Sequence, residues 1–217
     1  MRGELQNFSD RVRELEGASL EVRATRQSLQ EKIGQLRREL EEAVRRKERE
    51  VQEIRASHQL LREKLKAEIQ RQDVTVRQEK EHITIRLVDR VLFETASAEL
   101  TERSRKTLEG VYEGLKPIRD GLVVVEGHAD DRKIHGRLKG KYPSNWELSL
   151  ARAVAVVRFL ESRGMDPRRM AAAGYSYFRP LDTRLTALGR SRNRRVEIKL
   201  IPPGFSVADG APALMKR

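Results

Sequence analysis

The sequence contains no cysteine. A disulfide framework, thiolate ligation of zinc and a cysteine nucleophile are therefore all excluded. Aromatic residues make up only 5% of the 217 positions and charged residues 36%. That is too few rings and too much charge for a single core running through the whole chain, so part of it must be solvated on most sides. There is no apolar run of about 18 residues that could cross a bilayer as a helix. The opening residues also lack the apolar stretch of a signal peptide. The chain as it stands reads as soluble and without an export address.

Positive charge, by contrast, is in excess, with a formal net charge of +12. The first 70 residues hold 16 Lys and Arg against 14 Asp and Glu, and the other 147 hold 29 against 19. The excess thus sits in the C-terminal part, where it favours acidic partners such as nucleic acid, anionic lipid or an acidic cell-wall polymer. Nucleic-acid binding would also need aromatics for base stacking or a recognition helix, and neither is evident, so nucleic acid is not expected as a partner.

From Leu5 onward the apolar residues recur on a heptad. Leu5, Val12, Ile33, Leu40, Ile54 and Leu61 share one position, and Phe8, Leu15, Val22, Leu29 and Leu36 the other. Ser19, Arg26, Lys47, Glu50 and Lys64 fall on the same seam and weaken it. After Leu40 the stripe shifts to Val44, Val51 and Leu65 beside Ile54 and Leu61, which reads as a stutter. No proline interrupts residues 1–70, so one long helix is predicted, roughly 100 Å at 1.5 Å per residue. So polar a helix needs a partner for its stripe. A parallel homodimer is the preferred arrangement; an antiparallel pair or docking on another protein are the alternatives.

Near residue 74 the texture changes. Val74–Val76 and Ile83–Val88 alternate as strands do, Thr101–Leu115 carries Leu108, Val111 and Leu115 on one helical face, and Leu122–Val125 is a continuous apolar run. Ser144 and Glu147 form a capping box for a second helix, expected to turn Trp146, Leu150, Val154, Val157 and Leu160 inward and to stop at Gly164. Strand-like segments follow at Met170–Gly174 and Val196–Ile201. The predicted class is α/β, a βαβαββ sandwich with a mixed sheet and helices on one face, preceded by a coiled coil. The predicted division is a stalk over 1–72, a domain over 73–201 and a disordered tail over 202–217.

Asp130 follows the buried strand directly, at the strand end that ligands favour in α/β folds. On the capped helix Asn145, Ser149 and Arg152 are spaced by four and three and form one polar stripe. Asp130 and Arg152 are thereby expected to face one pocket. Such a pair suits a zwitterionic amino acid, its ammonium on the carboxylate and its own carboxylate on the guanidinium fork. Arg194, where the last strand opens, offers a second cation. His128, Asp130 and Ser149 are the residue types of a hydrolase triad, but Ser149 lies inside a helix, so no catalytic residue is assigned. Asp130, Asp131, His128 and His135 match no standard ligand spacing, so no metal and no cofactor are expected.

Phe93–Leu100, Gly127-His128-Ala129-Asp130, Pro143–Ala153, Gly174-Tyr175 and Asn193–Ile198 stand in an order that resembles the OmpA/MotB C-terminal domain family over residues 83–201. The Pro-Ser-Asn-Trp-Glu-Leu-Ser segment is similar to the MotB branch in particular. The resemblance implies a non-catalytic domain that binds the diaminopimelate-containing stem peptide of peptidoglycan. Asp130 would hold the ammonium and Arg152 the carboxylate, with Asn145, Ser149 and Arg194 in the same site. It also implies a periplasmic location, an inner-membrane tether outside this chain and a MotA-like membrane channel as partner in a flagellar-type motor. An outer-membrane anchor of the OmpA or Pal kind, and a pure oligomerisation scaffold, are the competing readings. One departure is Ala129, where the family usually carries threonine.

Overall fold

The computed structural model describes residues 2–79, 82–94, 97–118 and 120–201. Helix α1 (Arg2–Lys64) is followed by α2 (Lys66–Gln70), β1 (Val74–Glu79), β2 (His82–Val88) and the single turn α3 (Asp89–Leu92). Then come α4 (Glu102–Leu115), β3 (Leu122–His128), α5 (Arg137–Lys141), α6 (Asn145–Ser162), a 3-10 turn (Pro167–Arg169), β4 (Met170–Gly174), α7 (Ala187–Asn193) and β5 (Arg195–Ile201). The tail expected over residues 202–217 lies outside the described residues. No helix among the described residues is long and apolar enough to cross a membrane.

The strands form one mixed sheet in the order β1-β2-β5-β3-β4, with β3 and β4 parallel and the other neighbours antiparallel. The α/β class read from the sequence is the class found. The strand-like Val74–Val76 segment extends to Glu79 as β1 and pairs with β2, and the structure adds the short helix α7 between β4 and β5. Because side chains alternate along a strand, Ile83, Ile85, Leu87, Val123, Val125, Val196, Ile198 and Leu200 face a common core with Leu108, Val111 and Leu115 of α4. Thr101 caps α4, accepting the Ser104 N–H.

The chain divides into two compact units, residues 1–49 and residues 50 onward. In the first, the helical stripe from Val12 to Val44 is exposed. In the second, the end of α1 is part of the domain's own core: Ile54, Leu61 and Leu65 are buried with the sheet and α4. Ser57 donates to the Gly114 carbonyl of α4 at 2.6 Å, and a β-carbon on Gly114 would overlap the Leu61 side chain. The expectation that the whole stripe needs a second helix is thus corrected for residues 54–65, which pack on this domain.

Helix α6 starts as the sequence predicts. Ser144 accepts the Trp146 N–H, and Glu147 accepts the Ser144 N–H at 2.7 Å to complete the capping box. Its inward face agrees with the expected one at Leu160 and at Val157, which packs against the core, and differs at the start of the helix. Leu148, Ala153, Val156, Phe159 and Leu160 are buried, whereas Trp146 and Leu150 are exposed. The reason lies in the stripe that includes Ser149 and Arg152. These polar residues take the sheet-facing position at the start of the helix and turn its large apolar neighbours to solvent.

Candidate functional site

Three chain segments reach one end of the sheet in register. Val88 of β2 and His128 of β3 both pair with Arg195 of β5. Asp89 and Arg194, which adjoin these pairs, and Asp130, two residues past His128, therefore come together where the strands stop. The Arg194 Nη1 donates to Asp130 Oδ2 at 2.6 Å, and its Nε is 3.8 Å from Asp89 Oδ2. Helix α6 then brings in Arg152, whose Nη1 is 2.8 Å from Asp89 Oδ1. Its Nε donates to the Ser97 carbonyl at 3.0 Å, and its guanidinium lies over the Phe93 ring. The result is a chain of alternating charges, Asp130, Arg194, Asp89 and Arg152, with no net charge.

The four charges differ in access. Arg152 is 4% exposed and Asp130 9%, while Arg194 is 37% exposed. Burial raises the Asp89 carboxyl pKa; Arg152 and Arg194 oppose that shift and Asp130 adds to it. Burial likewise lowers the Arg152 pKa, against the pull of Asp89. Asp130 and Arg152, expected to face one pocket, belong to one electrostatic cluster in which each has its own partner. Arg194 engages Asp130, and Asp89 engages Arg152.

Asp89 was missed because its part depends on β2 lying beside β5, a pairing across more than a hundred residues that no local motif announces. A carboxylate immediately after a strand, as at Asp130, was the available signal.

Asn145 and Ser149 also take parts other than the expected ones. The Asn145 amide donates to the carbonyls of Asp130 at 3.2 Å and Arg132 at 2.9 Å. The Asp130 carboxylate accepts the Arg132 N–H at 3.1 Å, an Asx turn that fixes this corner. The Ser149 hydroxyl is wholly buried; it donates to the Trp146 carbonyl and accepts the Ser176 N–H at 3.1 Å. Both side chains hold the loops that present Asp130. Ala129 donates its N–H to the Ser176 carbonyl at 2.8 Å, so the strand end is tied down by its backbone.

His128 makes no hydrogen bond from either ring nitrogen and Ser149 has other partners, so the residues of the triad are not assembled. On the opposite sheet face Glu126, His128 and Glu197 place ligand atoms within 4.8 Å of one another, a grouping that comes from strand pairing and not from any local spacing. Glu197 is engaged by Arg86 at 2.9 Å and Arg195 at 2.7 Å, and Glu126 by Lys199 at 2.8 Å. Three cations against two carboxylates leave no negative field to draw in a divalent metal.

The structure thus joins a mixed sheet to a row of paired charges at its strand ends. Residues 92–194 match the OmpA family model. Motility protein B of Bacillus subtilis is 30% identical over 125 residues, 57% of this chain and 47% of that protein. Peptidoglycan-associated lipoprotein of Mesorhizobium japonicum is 31% identical over 121 residues, 56% of this chain and 68% of that protein. A solved structure described as the cell wall anchor of the T6SS from Pseudomonas aeruginosa matches with a TM-score of 0.60 and 35% identity, over 65% of this chain and 96% of that one. The chain belongs to the OmpA family. It spans about half the length of several curated relatives it matches.

Proposed function

We propose that the chain is a non-catalytic anchor that holds the stem peptide of peptidoglycan at the Asp130, Arg194, Asp89 and Arg152 row. The observation that carries this reading is the 2.6 Å contact between Arg194 and Asp130 at the mouth of the row. The Arg194 guanidinium occupies the place that suits an incoming ammonium. A zwitterionic amino acid such as diaminopimelate takes over Asp130 with its ammonium, and the displaced Arg194 turns to its carboxylate. Arg152 lies deeper; it fixes Asp89 and adds positive potential beneath that carboxylate. The exchange replaces one ion pair with two and leaves no buried charge alone, which is what makes such a site affordable.

The names of the relatives support an envelope setting: a motility protein, a peptidoglycan-associated lipoprotein and a cell wall anchor. In this reading the domain is periplasmic and the chain is tethered to the inner membrane by a segment outside it. It serves a stator-type complex with a MotA-like channel, and the exposed seam of the first unit pairs two copies in parallel. The 35% identity to the T6SS anchor favours a second placement, in a secretion machine that grips the wall by the same chemistry.

Co-sedimentation with purified peptidoglycan tests the anchor. Asp130→Asn keeps the shape of the side chain and its acceptor for Arg132, and removes the charge. The wild-type chain is expected to pellet with the wall and the variant to remain in solution with an unchanged melting temperature. Equal pelleting of the two rules the site out.

A further inference from the structure

The chain has one tryptophan, four tyrosines and five phenylalanines, and three of these ten rings stand together in solvent. Trp146 stacks on Phe178 with ring centroids 5.4 Å apart and planes 29° apart, and Phe178 stacks on Tyr177 at 4.4 Å and 26°. Each ring is between 44% and 58% exposed. Contiguous exposed aromatics on a charged protein mark a contact surface more often than chance, and this one is not legible from periodicity, which places Trp146 in the core.

The terrace is held rigidly. The Tyr175 N–H donates to the Gly127 carbonyl at 2.9 Å, and Ser176 is bonded on one side to Ser149 and on the other to Ala129. The Phe178 N–H closes a turn on the Tyr175 carbonyl, and the Arg179 carbonyl accepts from Arg195 at 3.2 Å. Ser176 sits at φ 51°, in the left-handed region that a serine occupies only when its surroundings impose it. The same contacts fix the terrace beside the ligand row. Ser176 grips the residue before Asp130, and Trp146 follows Asn145, whose amide holds the Asp130 carbonyl.

We propose that Trp146, Phe178 and Tyr177 form a subsite for a hexosamine ring of the glycan strand. The inference rests on the stem-peptide reading above: a peptide clasped at Asp130 is covalently attached to a sugar, which is carried to the neighbouring surface. A pyranose ring presents a flat face of C–H groups with hydroxyls around its rim. Stacked rings match that face, because their electron-rich surfaces attract the C–H edges while the hydroxyls stay in water.

Calorimetry on the full chain separates the two parts of the site. One probe is the free tripeptide L-Ala-γ-D-Glu-diaminopimelate; the other is the same tripeptide on its N-acetylglucosamine–N-acetylmuramic acid disaccharide. The wild type is expected to prefer the disaccharide form by roughly five- to tenfold. Trp146→Ala and Phe178→Ala should each remove most of that preference and leave tripeptide affinity unchanged, which also serves as the folding control. Trp146→Tyr should restore it. A wild type without the preference, or a preference that survives both alanine variants, overturns the proposal. So does finding that the alanine variants instead abolish self-association or binding of a short oligothymidylate. Tripeptide binding that is absent, or indifferent to Asp130→Asn, defeats the stem-peptide reading instead. A Trp146-dependent gain from the disaccharide would still uphold the sugar subsite in that case.

Discussion

Gly127 of β3 lies directly beneath the backbone of Ser149 in α6: a β-carbon at position 127 would overlap the Ser149 carbonyl oxygen and come within 2.8 Å of its carbon. Gly174 of β4 allows the same approach, with its would-be β-carbon 2.7 Å from the Leu150 nitrogen. Two adjacent strands have thus given up side chains at one level, and α6 settles there onto the sheet. This contact sets the depth at which Ser149 meets Ser176 and at which Arg152 meets Asp89.

Gly127→Ala should therefore push the helix off the sheet at the site. The clash is with backbone, which cannot rotate away, so a loss of about 3 kcal/mol is expected from overpacking. The urea midpoint measures that loss, and peptidoglycan co-sedimentation should weaken in the same variant. An unchanged midpoint would mean that α6 is free to ride up without strain.

The sequence disclosed this part of the molecule unevenly, for physical reasons. Local signals carried well: the capping box at Ser144 and Glu147, the apolar run into β3, and the face of Leu108, Val111 and Leu115 each depend on neighbours in the chain. Asp130 and Arg152 were legible as charges near one corner. Their partners were not, because Asp89 and Arg194 become neighbours only through the pairing of β2 with β5. The orientation of Trp146 misled for a related reason. Helical periodicity shows which residues share a face, and contact with the sheet decides which face turns inward.

Glu197 supplies a test by pH. Burial raises its carboxyl, but Arg195 and then Arg86 outweigh that effect and hold it at about 2, against an ordinary value of 4.5. Because the folded value is depressed, the stabilisation is fully present above pH 4.5 and is lost as pH falls toward 2. The difference corresponds to about 3 kcal/mol. Glu197→Gln should be less stable by about that amount at neutral pH, since it also strands the buried Arg195. Its stability should then fall less steeply than the wild type's on acidification between those limits. Parallel acid limbs in chemical denaturation would show that the carboxylate is not the group titrating.

The exposed seam between Val12 and Val44 yields a third expectation. Leu29 and Leu36 sit on it at 55% and 57% exposure, so Leu29→Asp with Leu36→Asp should turn a dimer into a monomer. Light scattering after size exclusion reads the mass directly. Binding of the tripeptide should be preserved, because Ile54, Leu61 and Leu65 belong to the other unit's core. A wild-type chain that is already monomeric at micromolar concentration would remove the homodimer from the model.

The alternation of Asp130, Arg194, Asp89 and Arg152 has a consequence for selectivity. A simple amine can displace Arg194 from Asp130 only by trading that arginine's 2.6 Å ion pair for the longer 3.8 Å contact with Asp89, and a simple acid meets a guanidinium already paired. Neither recovers what it breaks. On the proposed stem-peptide reading, a molecule bearing both signs on one carbon restores both contacts together, and the row would then act as a two-key lock that passes over the abundant single ions around it.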